Sequence, residues 1–188
     1  MAAQWKVLDE TERGVWNVVP LESVGPLRFG MSHEEVVYAA GTGMRVSSEV
    51  LSMSDSAVRA EFALIDSNPL MPASTLSTYY DEGGLLSAVA VDARSGPQAI
   101  LDGMRLVGRV PSEIEMQFAG YVESHSLDLL YSEYWDMSSE AVGVVLRAQR
   151  VDDVVLSRPI FVGRSWAERC GNASDGRIPQ VEWHRQSR

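Results

Sequence analysis

Residues 24–41 read Val24-Gly25-Pro26-Leu27-Arg28-Phe29-Gly30-Met31-Ser32-His33-Glu34-Glu35-Val36-Val37-Tyr38-Ala39-Ala40-Gly41, a short apolar strand followed by a sharp corner and a helix. Ser32 is a natural N-cap, and Glu35 three residues later completes a capping box that satisfies backbone N–H groups of the first turn. Gly41 can adopt the left-handed conformation that ends a helix. A helix of about two to three turns is marginal alone, so we expect it to pack on a sheet.

Composition and charge limit the class of partner. The chain has 188 residues, of which 45% are apolar, which suffices for one domain or two small ones. Its formal charge is -10 and its pI is about 4.7, which argues against a protein that binds the phosphates of nucleic acid directly. We therefore expect a neutral or basic protein partner, although acidity also serves solubility alone.

The sequence also predicts a cellular location. No apolar run approaches the roughly 20 residues that a membrane span needs, and the N-terminal residues 1–6 lack a basic region followed by an apolar one. The single Cys170 has no partner for an internal disulfide, which agrees with a reducing compartment. We expect a cytoplasmic protein that does not contact the membrane; its oligomeric state is left open.

The rest of the chain predicts antiparallel strands and one more helix. Residues 75–80, 81–84 and 85–92 read as strand, tight turn and strand, and residues 57–65 alternate as a further strand. In the second half, Ser112 can cap a second helix with Glu115 at the box position. Three more strands follow, at residues 127–135, 141–148 and 154–162. The predicted fold class is α+β, an antiparallel sheet with two short helices.

The two halves resemble each other. Gly25–Gly30 precedes one capped helix and Gly103–Gly108 precedes the other, and strands follow each helix. The sequence thus predicts a tandem duplication, with a first α+β unit and N-terminal arm at residues 1–95 and a second unit with a polar tail at residues 96–188. The alternative is one continuous domain in which the match is coincidental.

The segment from Leu27 to Gly41, with its strand, Gly-Met-Ser corner, Glu-Val pair and closing glycine, resembles a signature of small binding modules. These are the outer-membrane-assembly lipoprotein BamE and the tandem β-lactamase inhibitor proteins; the segment is also similar to small bacterial immunity proteins that neutralise toxins. The resemblance implies a non-catalytic binding module. Members of the first two groups are exported, a property for which this sequence shows no signal.

The residues that usually carry catalysis do not form a recognisable set. The three histidines His33, His125 and His184 lack metal-type spacing. The sequence contains neither a Gly-x-Ser-x-Gly elbow nor a phosphate-binding glycine loop with its lysine. We therefore predict no catalytic residues, no metal site and no cofactor.

Two segments combine aromatic side chains with carboxylates next to strand ends. They are Tyr79, Tyr80, Asp81 and Glu82, and Glu133, Tyr134, Trp135 and Asp136. Aromatic anchors rimmed by acids suit a basic partner, because aromatics dominate binding hot spots and acids steer association. We predict these eight residues as the partner-binding set; the alternative is aromatics that fill the core beside solvated acids.

Together these features favour a non-catalytic, cytoplasmic, bacterial protein-binding module, most concretely an immunity or inhibitor protein that occludes a basic protein. One alternative is a small-ligand-binding domain or enzyme with a cavity between sheet and helices. Another is a structural subunit of a larger assembly.

Overall fold

The structure is a computed structural model, which describes residues 6–53, 57–67, 74–132, 135–171, 178 and 182. In these ranges the strands are β1 (Val15–Val19), β2 (Ser23–Val24), β3 (Leu27–Arg28), β4 (Met44–Leu51), β5 (Ala57–Leu64), β6 (Leu76–Tyr80), β7 (Leu86–Val91), β8 (Gln98–Leu101), β9 (Met104–Arg105), β10 (Leu130–Tyr131), β11 (Met137–Ser139), β12 (Val144–Val151) and β13 (Val154–Val162). The α-helices are α1 (His33–Ala40) and α2 (Pro111–Ser124), and 3₁₀ helices cover Glu10–Glu12 and Arg164–Arg169.

The main sheet has eight strands in the order β10-β11-β12-β13-β7-β6-β5-β4, and every neighbouring pair is antiparallel. It consists of two four-stranded meanders, β4 to β7 and β10 to β13, that join where β7 pairs with β13. A smaller sheet has the order β3-β2-β1-β8-β9 and contains one parallel pair, β1 with β8. The predicted α+β class with antiparallel sheet and two short helices is confirmed.

Helix α1 begins where the sequence predicts. The Ser32 hydroxyl accepts a hydrogen bond from the Glu35 N–H at 3.3 Å, and the Glu35 carboxylate accepts one from the Ser32 N–H at 2.8 Å. Gly41 follows the last turn with φ of 76°, a value that favours glycine. Val36 is fully buried beneath the helix, whereas Tyr38 is 89% exposed. The capping box of the sequence analysis is therefore present in full.

Helix α2 begins differently from the prediction. Its N-cap is Val110, which makes no side-chain cap, and Pro111 occupies the first helical turn. Proline has its fixed φ in the helical range and lacks the N–H that would be unpaired there, and it holds the preceding residue extended. Ser112 therefore lies inside the helix and is exposed, so the prediction that it caps α2 is wrong.

The element order of the first half recurs in the second. A two-strand hairpin, a helix and a four-stranded meander appear as β2-β3, α1 and β4 to β7, and again as β8-β9, α2 and β10 to β13. The repeated order fits two units, whereas the single sheet that contains both meanders fits one continuous domain. The boundary at residues 95 and 96 stays a prediction.

Both faces of the main sheet are covered over its central strands. On one face, Phe62, Val89 and Phe161 pack with Ile114 and Phe118 of α2 and with Val36 of α1. On the other face, a second cluster combines sheet residues with residues from the C-terminal part of the chain, namely Tyr79, Ala88, Ala90, Val145, Ile160, Val162, Trp166, Cys170 and Ile178. The sheet face that the helices leave open is therefore covered by the described residues Trp166, Cys170, Ile178 and Glu182, which together are called the C-terminal segment.

Candidate protein-binding surface

Two of the predicted anchors are inside the protein. Tyr79 is 1% exposed and Tyr80 is 4% exposed. They are consecutive residues of β6, a central strand, so their side chains alternate between two faces that are both covered: Tyr80 packs with the helices and Tyr79 with the C-terminal segment. For these two residues the structure agrees with the core alternative, and neither forms an exposed anchor.

The carboxylates that follow them form a turn. Asp81 Oδ1 accepts hydrogen bonds from the Gly83 and Leu85 N–H groups, both at 2.9 Å, which is the backbone role that aspartate often has in turns. Glu82 is exposed. The turn lines one side of an open cleft of about 470 Å³, whose other residues include Trp166 and Arg169.

The second predicted group places one aromatic side chain in solvent. Trp135 is 80% exposed, and its ring lies 6.4 Å from that of Tyr131, which is 51% exposed. Glu133 and Tyr134 lie outside the described residues. Tyr131 was not among the predicted anchors; the only sequence signal for it is its position four residues before Trp135, across a short hairpin. Together, Trp135 and Tyr131 are called the aromatic tip.

The backbone at Trp135 is strained. Ser132 and Asp136 close the hairpin, since the Ser132 N–H donates to the Asp136 carbonyl at 2.9 Å, and the Trp135 N–H donates to the Ser132 carbonyl at 2.9 Å. Trp135 itself has φ of 65°, in the left-handed region. The last residue of a three-residue hairpin loop commonly takes this conformation, and glycine is the residue that fits it without cost. A bulky tryptophan there is a genuine outlier.

Asp136 points the other way, into the protein. It is 8% exposed, and its Oδ2 lies 3.2 Å from Arg147 Nε. Burial raises the pKa of Asp136 above its usual value, and the Arg147 guanidinium opposes this shift. Asp136 therefore supports the base of the hairpin and does not form part of an acidic rim.

The sheet register separates the two predicted groups. The turn at residues 81–85 lies beyond the row that pairs Tyr79 with Ala88, and the loop at residues 132–136 lies beyond the pair Met137 and Leu146. Between this turn and this loop lie the cross-strand partners Ala90, Ile160 and Val145. The two groups thus occupy opposite ends of the sheet and cannot contact one small epitope together.

The sequence does not predict the polar cluster around His33. His33 Nδ1 lies 2.8 Å from the Tyr80 hydroxyl, and His33 Nε2 lies 3.3 Å from Glu49 Oε1. The Thr78 hydroxyl donates to the Tyr80 hydroxyl at 3.1 Å. Burial raises the pKa of Tyr80 to about 12, so this hydroxyl stays protonated at neutral pH. The cluster ties the first turn of α1 to β4 and β6.

Further chemistry is sparse in the part of the chain that the structure describes. No group of three or more His, Cys, Asp or Glu side chains there is arranged to hold a metal ion. Cys170 is fully buried, and burial raises the pKa of its thiol. Among the described helices, none has the length and apolarity that crossing a bilayer requires.

Comparison with known proteins gives no match: no protein-family model, no curated protein and no solved structure is significantly similar to this chain. The resemblance to small binding modules therefore stays a prediction from the residues between Leu27 and Gly41.

Proposed function

We propose that this chain is a non-catalytic protein-binding module that uses the aromatic tip as its anchor. The observation that carries the proposal is Trp135, a large apolar side chain that is 80% exposed on a backbone with φ of 65°. A left-handed conformation costs a non-glycine residue about 1–2 kcal/mol, and the small buried part of the ring offsets at most about 1 kcal/mol of that cost. The hairpin requires a left-handed residue at this position, but it does not require a tryptophan, because glycine takes the same conformation without cost. A bulky side chain kept in a strained conformation is a reason to infer a role in binding.

The size of the side chain fits this role. Tryptophan buries about 150–250 Å² when it enters an interface, which corresponds to about 4–6 kcal/mol at 25 cal/mol per Å² before the costs of association. Tryptophan and tyrosine are enriched among residues whose truncation costs 2 kcal/mol or more. Tyr131 beside Trp135 widens the apolar contact and keeps a polar hydroxyl at its edge.

The charge of the chain suggests the kind of partner. A formal charge of -10 favours association with a neutral or basic protein and speeds encounter at low ionic strength. The finer proposal is an immunity or inhibitor protein that occludes such a partner in the cytoplasm. It is supported by the charge and by the resemblance of the Leu27 to Gly41 segment.

A ligand cavity between sheet and helices is less well supported. Between α2 and the main sheet, the space is filled by buried aromatic side chains, Phe62, Phe118 and Phe161 among them, each at most 1% exposed.

The test compares two aromatic truncations. Tagged wild-type chain, Trp135→Gly and Tyr38→Ala are used to capture proteins from the source organism, and the affinity for the captured partner is then measured by calorimetry. Tyr38 is the matched control because it is an aromatic residue that is 89% exposed on an unstrained helix. We expect Trp135→Gly to weaken binding by about thirtyfold or more, the equivalent of 2 kcal/mol, and Tyr38→Ala to bind as wild type. Equal binding by all three chains would contradict the proposal, and loss of the partner's own activity on binding would support the inhibitor reading.

A further inference from the structure

The buried carboxylate of Glu182 occupies a polar recess on the sheet face opposite the helices. Glu182 is 1% exposed, and its Oε1 accepts a hydrogen bond from Arg158 Nε at 2.7 Å. Its Oε2 accepts one from the Tyr79 hydroxyl. Its main-chain carbonyl accepts one from Arg147 Nη1 at 2.6 Å. The carboxylate recess is the site formed by Tyr79, Arg147 and Arg158.

The sheet register explains why the recess attracts an anion. Arg147 of β12 and Arg158 of β13 are direct cross-strand partners. Like charges in this relation destabilise a sheet unless anions lie beside them. Asp136 lies 3.2 Å from Arg147 and Asp92 lies 3.6 Å from Arg158, each on the outer side of the pair. Burial acts to lower the pKa of Arg158, but attraction to Glu182 and Asp92 outweighs burial, so the pKa is raised above its usual value.

Glu182 leaves one hydrogen-bond donor of the recess, on Arg158, unpaired. Arg158 is 5% exposed, and its Nη2 atom is buried without a hydrogen-bond partner among the described residues. Nε and Nη2 lie on the same edge of the guanidinium, where a carboxylate can accept two parallel hydrogen bonds. Glu182 instead divides its two oxygens between Arg158 and Tyr79. The hydroxyl of Ser138, whose cross-strand partner Val145 belongs to the same face, is also buried and unpaired.

An apolar site lies next to the recess. Ile178, four residues before Glu182 in the sequence, is fully buried against a floor of small and β-branched residues that includes Ala90, Val145 and Ile160. The C-terminal segment thus binds this face through an aliphatic side chain and a carboxylate. These are two anchors of the kind by which peptides dock on protein surfaces.

We propose that this sheet face is a peptide-binding surface that recognises a segment of a neutral or basic partner protein with an aliphatic residue four positions before a carboxylate, and that Ile178 and Glu182 occupy it in cis. The unpaired Nη2 of Arg158 is a donor that a differently placed carboxylate can use together with Nε. A partner segment of this kind competes with the tethered segment, whose effective concentration is high because it belongs to the same chain. This proposal does not depend on the aromatic tip.

The probe is a labelled synthetic peptide of residues 176–188, made with either glutamate or glutamine at position 182. Its binding is measured by fluorescence anisotropy against the full chain as wild type and as Glu182→Gln, which keeps the side-chain size and removes the competing charge. We expect Glu182→Gln to bind the glutamate peptide at least tenfold more tightly than the glutamine peptide. Wild type should bind the glutamate peptide at least tenfold more weakly than Glu182→Gln does.

Two controls keep the test decisive. Ile178→Ala weakens the apolar anchor of the tethered segment and leaves the charged network intact, so if Glu182→Gln fails to fold by circular dichroism, the same discrimination is sought in Ile178→Ala. Tyr38→Ala should behave as wild type toward both peptides. If the folded variants bind the two peptides equally or bind neither, the proposal is overturned and the recess is a structural ion network only.

Discussion

At position 135, glycine should give a more stable protein than alanine, which reverses the usual order of stability of these two residues. At an unstrained position, alanine is more favourable than glycine by about 0.5–1 kcal/mol, because glycine loses more backbone freedom on folding. At Trp135, where φ is 65°, alanine keeps a left-handed strain of about 1–2 kcal/mol that glycine lacks. The difference leaves Trp135→Gly more stable than Trp135→Ala by about 0.5–1 kcal/mol.

The comparison with wild type follows from exposure. Trp135 is 80% exposed, so truncation loses about a fifth of a side-chain surface of roughly 150–250 Å², or about 1 kcal/mol at 25 cal/mol per Å². Relief of strain offsets this loss in the glycine variant, which should lie within about 1 kcal/mol of wild type. Truncation of a buried aromatic such as Phe118 costs about 3–5 kcal/mol instead.

Urea unfolding followed by circular dichroism gives the free energies, with Met116 as the control position. Met116 is 75% exposed in the middle of α2, so Met116→Ala should exceed Met116→Gly in stability by about 1 kcal/mol. If Trp135→Ala is also more stable than Trp135→Gly, the backbone at position 135 is not strained, and the reasoning that gives Trp135 a binding role fails.

Three further outcomes test other parts of the account. Ser32→Ala should lower the free energy of unfolding by about 1 kcal/mol, because it removes a side-chain cap. Ser112→Ala removes no cap, so its free energy of unfolding, measured by chemical denaturation, should stay within about 0.5 kcal/mol of wild type. Burial raises the pKa of Tyr80 from 10.0 to about 12. Its neutral form therefore contributes about 2–3 kcal/mol to the free energy of unfolding, which is fully present below pH 10 and lost as the pH rises toward 12. Unfolding curves of Tyr80→Phe should lack this alkaline decline, and an equal decline in both proteins would contradict the prediction. Cys170, buried and with a raised thiol pKa, should react with iodoacetamide only as fast as the chain unfolds; rapid labelling of the native protein would contradict its placement.

The sequence predicts the parts of this fold that local chemistry determines. The capping box of Ser32 and Glu35 and the closing Gly41 need only neighbouring residues, and they form as expected. The hairpin of β6 and β7 is predicted for the same reason, since its turn residues and strand alternation lie within one short segment. At Ser112 two local signals compete, and Pro111 sets the helix start because its ring already has a helical φ.

Residues that depend on distant contacts could not be predicted. The polar segment from 46 to 51 alternates poorly, yet it belongs to β4, because an edge strand can pair through its backbone with β5 while its side chains stay half exposed. Tyr79 is buried because the C-terminal segment covers one face of the sheet, a contact that spans 103 residues between Tyr79 and Glu182. Pattern along the chain carries no information on that contact.

In the candidate site, too, the features set by local sequence could be predicted and those set by distant contacts could not. The sequence predicts aromatic residues next to strand ends, and Trp135 is exposed in the loop between β10 and β11, although the predicted strand extended through it. It does not reveal the left-handed backbone at that residue, since this follows from the pairing of Ser132 with Asp136. It also does not reveal the cross-strand arginine pair, because Arg147 and Arg158 meet only through the register of β12 and β13.

The most direct test of the proposed function is site-specific photo-crosslinking. A benzophenone amino acid is placed at position 135, and in a second protein at position 38, which is as exposed but lies on α1 away from the hairpin. The account predicts that the protein labelled at position 135 forms a single covalent product with the captured partner in a one-to-one ratio, and that the protein labelled at position 38 does not. Equal crosslinking from both positions, or crosslinking from position 38 alone, would contradict the claim that the aromatic tip is the anchor of a protein-binding module.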